Sequence, residues 1–144
     1  MDVFSWPVRV YYEDTDSGGV VYYANYLRFM ERARTEWLRS FGIEQDQLVQ
    51  RDGLIFVVRH IDVNYLKPAR FNDALRVTVV VHERGRASLT FEQQVLRGDG
   101  DATTALCQGR VKIACLEAAA MRPRPIPEYI QVAIANSCPE YSCR

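Results

Sequence analysis

Two carboxylates, Asp14 and Asp16, stand in the glycine-bearing run Glu13–Gly19 (EDTDSGG), directly ahead of Val20-Val21-Tyr22-Tyr23-Ala24-Asn25. Acidic side chains, a serine and a glycine pair are turn chemistry, and acidic residues ahead of a helix complement the positive end of its dipole. Their neighbours point further. Tyr11, Tyr12, Tyr22, Tyr23 and Tyr26 crowd this polar loop, where solubility gives no reason to place them. The unsatisfied N–H groups at the start of the following helix are donors for a developing oxyanion. A carboxylate beside such donors, between apolar walls, is suited to attack an acyl carbon or to activate water for that attack.

Other chemistries find less support. Structural zinc needs four close ligands arriving as short-spaced pairs. Cys107, Cys115, Cys138 and Cys143 form no CxxC, and His60 and His82 stand far from them, so no metal site is expected. A Cys138–Cys143 bridge would need an oxidising compartment, and free thiols are the expectation. His60 and His82 each fall in a strand-like run and read as structural or rim residues. No GxSxG elbow or phosphate-cradling glycine loop is present.

Charge narrows the partners. The 18 basic residues balance the 18 acidic ones, which removes any general electrostatic reason to bind nucleic acid or an anionic membrane. An anion site must therefore be local. Lys67, Arg70, Arg84, Arg86, Arg122 and Arg124, in loops or at strand ends, are its candidates. No apolar run approaches the length of a membrane-spanning helix, and the start, MDVFSWPVRV, shows no secretory leader. A soluble cytoplasmic protein is expected.

The elements that must position this chemistry follow from periodicity. The chain has 144 residues, 48% of them hydrophobic, enough for one packed domain over 1–144. Pro7–Tyr12 is β-branched and apolar and predicts a strand. Tyr26, Met30, Ala33, Trp37 and Phe41 recur at spacings of three and four, predicting an amphipathic helix of about four turns that Gly42 closes. Glu44–Arg51 predicts a second short helix. Four strands follow, over Leu54–Leu66, Ala74–Val81, Ala87–Leu96 and Thr104–Cys115, with hairpin turns at Glu83–Arg86 and Gly98–Asp101. These four are expected to pair as an antiparallel meander. The tail, with Pro123, Pro125 and Pro127, reads as extended, then as a short turn over Tyr129–Ile134. The class is α+β: one long helix on a five-stranded antiparallel sheet, whose uncovered edges favour a symmetric dimer.

The run VRVYYEDTDSGGVVYYANYLRFMERARTEWL, Val8–Leu38, resembles the hot-dog-fold acyl-CoA thioesterases of the YbgC/4-hydroxybenzoyl-CoA thioesterase family, most closely the branch associated with the Tol–Pal system. The likeness continues through FVVRHIDVNYLKPARFND, RGRASLTFEQQV and RPRPIP, nearly the whole chain. It implies a five-stranded sheet wrapped around one long central helix, and hydrolysis of short- to medium-chain or aromatic acyl-CoA to free acid and thiol. Coenzyme A is then part of the substrate and no other cofactor is needed. By resemblance Asp16 is the catalytic carboxylate and the Tyr23 N–H polarises the thioester carbonyl, while Tyr12, Gly19 and Val21 line the substrate. Arg84, Arg86 and Ser88 are the implied contacts at a site borne by a homodimer, in a dimer or a dimer of dimers. The branch usually carries His where this chain has Tyr23. A phenol, with an ordinary pKa near 10, is a poor base but a competent hydrogen-bond donor, which leaves Asp16 as nucleophile or general base. The other reading is a binding module that docks acyl carrier protein or a membrane-associated complex.

Overall fold

The computed structural model describes residues 3–137, and the Cys138–Cys143 pair lies outside them. The chain runs β1 (Phe4–Arg9), α1 (Asn25–Arg39), α2 (Gln45–Asp52), β2 (Leu54–Tyr65), β3 (Ala74–Arg84), β4 (Ser88–Arg97), β5 (Thr104–Glu117), β6 (Arg122–Pro123) and α3 (Glu128–Ser137). All strand pairs are antiparallel, in the order β1-β3-β4-β5-β2, with β6 beside the end of β5. The class is α+β as expected, with two corrections to the sheet. It has a sixth, two-residue strand, and only β3-β4-β5 is a meander. The first of the four predicted strands, β2, pairs with β5 at the far side, Leu54 opposite Glu117 and Tyr65 opposite Cys107. The helices between β1 and β2 carry the chain across the sheet, and the apolar β2 closes the free side of β5.

Two segments also differ. The first strand is Phe4–Arg9, not Pro7–Tyr12. Tyr12–Asp14 instead closes a 3₁₀ turn in which the Tyr11 N–H donates to Asp14 Oδ2 at 2.9 Å. Pro7 fits β1 because this is an edge strand, where one missing donor costs nothing. The predicted tail turn is a ten-residue helix. Its signal was Ile126, Ile130 and Ile134 at spacings of four, all buried. Together with α2, this makes three helices where the sequence stressed one.

The core lies between α1 and one face of the sheet. Leu75, Val77, Val79 and Val81 alternate inward from β3, and Leu89, Phe91 and Val95 from β4. Tyr26, Phe29, Met30, Ala33 and Trp37 descend from α1, which packs on β3, β1 and β4. The helix gives out at Arg39, and Gly42 turns the chain with φ +81°, a region open to glycine without strain.

Gln93 interrupts this apolar layer. It is 1% exposed, and its amide spans two groups of α1: Nε2 donates to the Met30 carbonyl at 3.0 Å and Oε1 accepts from Arg34 Nη1 at 2.9 Å. Burial pushes the Arg34 guanidinium down to about 10, with the Glu31 charge opposing. A buried cation beside a neutral partner is costly unless its hydrogen bonds are made, so Gln93 fixes where α1 sits along the sheet.

The strand directions define two ends of the molecule. One holds Ala74, Arg97, Thr104 and Tyr65, together with the start of α1. The other holds Arg84, Ser88, Glu117 and Leu54, together with α2. No helix among the described residues is long and apolar enough to cross a membrane.

Candidate active site

The loop from Tyr11 to Ala24 is folded onto the 66–73 connection at the Ala74 end. Backbone bonds tie the two: Val21 N–H to Ala69 C=O at 2.9 Å, Val10 N–H to Asp73 C=O at 3.0 Å and Asn72 N–H to Val10 C=O at 2.9 Å. Inside the loop, Thr15 and Val21 form an isolated antiparallel bridge. The turn at its tip is closed by Gly19, whose φ of +78° favours glycine.

Asp14 and Asp16, two residues apart, do opposite things. Asp14 is 6% exposed and both oxygens are used: Oδ1 accepts from Asn25 Nδ2 and Oδ2 from the Tyr11 N–H, each at 2.9 Å. Its own carbonyl accepts the Tyr22 N–H at 2.9 Å. One buried side chain thus joins the 3₁₀ turn to the first residue of α1. Asp16 is exposed, and only Oδ1 is engaged, by the Gly18 N–H at 2.8 Å. Its Oδ2 meets no polar partner among the described residues.

Asp14→Ala leaves the buried Asn25 amide and the Tyr11 N–H without their acceptor. Bonds to a charged acceptor contribute about 1.5–3 kcal/mol, so this variant should lose about 3 kcal/mol of stability. For a chain of this size that lowers the thermal midpoint by roughly 10 °C. A midpoint within about 2 °C of the wild type would show that Asp14 is not the tie that holds this loop.

Tyr23, at the entrance to α1, is 61% exposed. Neither its backbone N–H nor that of Ala24 is accepted by another described residue, so both point free ahead of the helix. Its ring lies 4.8 Å from that of Tyr22 and 6.2 Å, edge-on, from that of Tyr65. Hydrogen bonding and charge interaction with the Tyr23 hydroxyl raise the Tyr22 phenol above its ordinary pKa. Behind them Tyr26 is buried, with the Ala69 N–H donating to its hydroxyl at 3.0 Å. Burial is the first cause raising the Tyr26 phenol.

Asp16, Gly19 and Tyr23 therefore share one end of the molecule. Val21 is there too, but its side chain is in the core and its N–H is taken by Ala69. Tyr12 stacks its ring on Phe71 at 3.8 Å and 7°. It lines a groove of about 520 Å³ with Arg9, Tyr11, Phe71 and Asn72. Arg84, Arg86 and Ser88 lie at the opposite end. The eleven residues of β3 separate them from the Asp16 loop by about 33 Å within one chain. Around Ser88 a groove of about 320 Å³ is lined by Arg59, His60, Lys112 and Pro123. The other candidate cations divide the same way, Lys67 and Arg70 beside the loop, Arg122 and Arg124 at the far end, where Arg124 pairs with Glu117. His82 sits beside Glu92 at 3.2 Å, and no three His, Cys, Asp or Glu among the described residues gather as a ligand set.

Comparison with known proteins shows the family to which the chain belongs. The family model described as thioesterase-like superfamily matches residues 10–134. The acyl-CoA thioesterase YbgC of Haemophilus influenzae is 44% identical over 130 residues, 90% of this chain and 93% of that protein. The 1,4-dihydroxy-2-naphthoyl-CoA hydrolase of Thermosynechococcus vestitus is 31% identical over 94% of this chain and 90% of its own. Among solved structures, a protein from Bartonella henselae named "Probable Thioesterase" superposes with a TM-score of 0.81 at 35% identity, covering 88% of this chain and 100% of that one.

Proposed function

As a member of the thioesterase-like superfamily this chain hydrolyses acyl-CoA thioesters, and we propose that Asp16 does the chemistry at a site shared by two copies of the chain. The observation that carries this reading is the division of labour between the carboxylates. Asp14 is consumed by structure, whereas Asp16 keeps one oxygen open at the end of the molecule where α1 starts with two free N–H groups.

The thioester carbonyl oxygen sits at the Tyr23 N–H, which holds the negative charge that develops there. Asp16 either takes a proton from water, whose oxygen adds to the carbonyl carbon, or adds to that carbon itself and forms an acyl-aspartyl anhydride that water then cleaves. In both routes the tetrahedral intermediate collapses by expelling the thiolate. The parent thiol has a pKa of about 8.5, so departure needs little help from a general acid. The Tyr23 hydroxyl adds a hydrogen-bond donor at the helix start.

The sheet supports the sharing. Its β1 edge is short and carries Pro7, while β2 offers twelve residues with Val58 about half exposed. A long apolar edge is a template for pairing, and proline blunts the other one. Two-fold antiparallel pairing of β2 with its copy sets the Leu54 end of one chain against the Tyr65 end of the other. This crosses the separation between Asp16 and the Arg84–Arg86–Ser88 cluster and brings the two together in trans. The cluster then faces the phosphates of coenzyme A, and each α1 lies inside a curved sheet continuous across the dimer, the hot-dog arrangement.

Thiol release from acetyl- to palmitoyl-CoA, with a benzoyl ester alongside, tests the activity. The expected result is turnover with a clear acyl optimum. Release from no ester would overturn the reading and favour a docking module for acyl carrier protein.

A further inference from the structure

We propose that Tyr65 is the stop that sets how long an acyl chain this site accepts, an inference that rests on the thioesterase reading. With the carbonyl held at the Tyr23 N–H, the acyl group leaves along a wall that begins with the Tyr23 ring. The next ring on that wall is Tyr65, edge-on at 6.2 Å and 83°. Tyr65 closes β2, and its backbone is fixed by pairing with Cys107 of β5.

Its ring is braced from behind. Tyr26 meets it at 5.5 Å, is itself only 4% exposed, and packs edge-on against Phe29 at 6.2 Å. The Ala69 N–H holds the Tyr26 hydroxyl at 3.0 Å, so this brace has no room to swing aside. One face of Tyr65 stays open, the side chain being 47% exposed. The ring thus presents an apolar surface to a short acyl group and blocks a longer one, whose extra methylenes must displace it or turn out into water. Next to the ring lie Tyr26, 5.5 Å away, and the fully buried Cys107, which pairs with Tyr65 across β2 and β5. Each methylene that gains such an apolar surface contributes about fourfold in kcat/KM.

The test compares kcat/KM across acetyl- to palmitoyl-CoA for the full-length wild type, Tyr65→Ala, Tyr65→Phe and Tyr65→Trp. The wild type should show a short-chain optimum. Tyr65→Ala should raise the octanoyl-to-butyryl ratio by at least about tenfold, a gain of two or more methylenes. Tyr65→Phe should keep the wild-type profile, because the role is steric, and Tyr65→Trp should move the optimum toward acetyl. The two size changes act in opposite directions, so loss of folding in one leaves the other as a test. Identical chain-length profiles in wild type, Ala and Trp would overturn the assignment, as would a wild type that prefers palmitoyl-CoA. Failure of the wild type on every ester would instead overturn the thioesterase reading itself.

Discussion

Asp16→Asn should lower the rate of thiol release by at least about 100-fold, the usual contribution of a carboxylate that activates water or attacks directly. The protein itself should be unchanged. Asparagine is as good a turn residue as aspartate, and its amide oxygen still accepts the Gly18 N–H that Asp16 accepts at 2.8 Å. What is lost is the charge on the open oxygen, which neither takes a proton nor attacks once it is part of an amide. KM should therefore stay near the wild-type value while kcat falls, and the thermal midpoint should not move. Retention of more than about a tenth of the rate would remove Asp16 from the chemistry. The two carboxylates thus separate cleanly in experiment: Asp14→Ala acts on stability first, and Asp16→Asn on turnover alone.

The second large effect is expected at the far end of the molecule. Arg84→Ala with Arg86→Ala removes two exposed cations from the cluster around Ser88. Charge-assisted contacts to phosphate are strong ones, though solvent and salt weaken them at an exposed site. A rise in KM of about tenfold to 100-fold is expected, with kcat little changed, because these contacts are made equally to substrate and transition state. Added salt should narrow the difference between the variant and the wild type. Within one chain these arginines sit a full strand length from Asp16, so this KM effect is itself evidence of sharing. If Lys67 and Arg70, beside the Asp16 loop, hold the phosphates instead, the double variant will bind substrate like the wild type.

The legible parts of the sequence were those governed by periodicity and by turn chemistry. The stripe from Tyr26 to Trp37 gave α1, the alternation over Leu75–Val81 gave the inward face of β3, and the glycine pair gave the loop tip. The path of β2 was not legible, since an apolar run specifies burial and not which neighbour supplies it. The site was visible as a crowd of aromatic and acidic residues, yet residue type alone did not separate Asp14 from Asp16. The difference is burial, created by Asn25 and the Tyr11 backbone, and side chains acquire such partners only on folding. Tyr65 read as one more strand residue, because its importance comes from Tyr23, more than forty positions earlier. Gln93 was likewise hidden as one polar residue of an alternating strand, on the face that turns inward.

The most direct test of a shared site is activity in mixed dimers. Asp16→Asn chains and Arg84→Ala/Arg86→Ala chains, each nearly inactive at low acyl-CoA concentration, are refolded together in equal amounts. Half of the dimers then hold one chain of each kind, and in these one of the two sites takes Asp16 from one chain and both arginines from the other. About a quarter of wild-type thiol release should return. A mixture no more active than the average of its two components would contradict the account, and would place Asp16 and its phosphate contacts on the same chain.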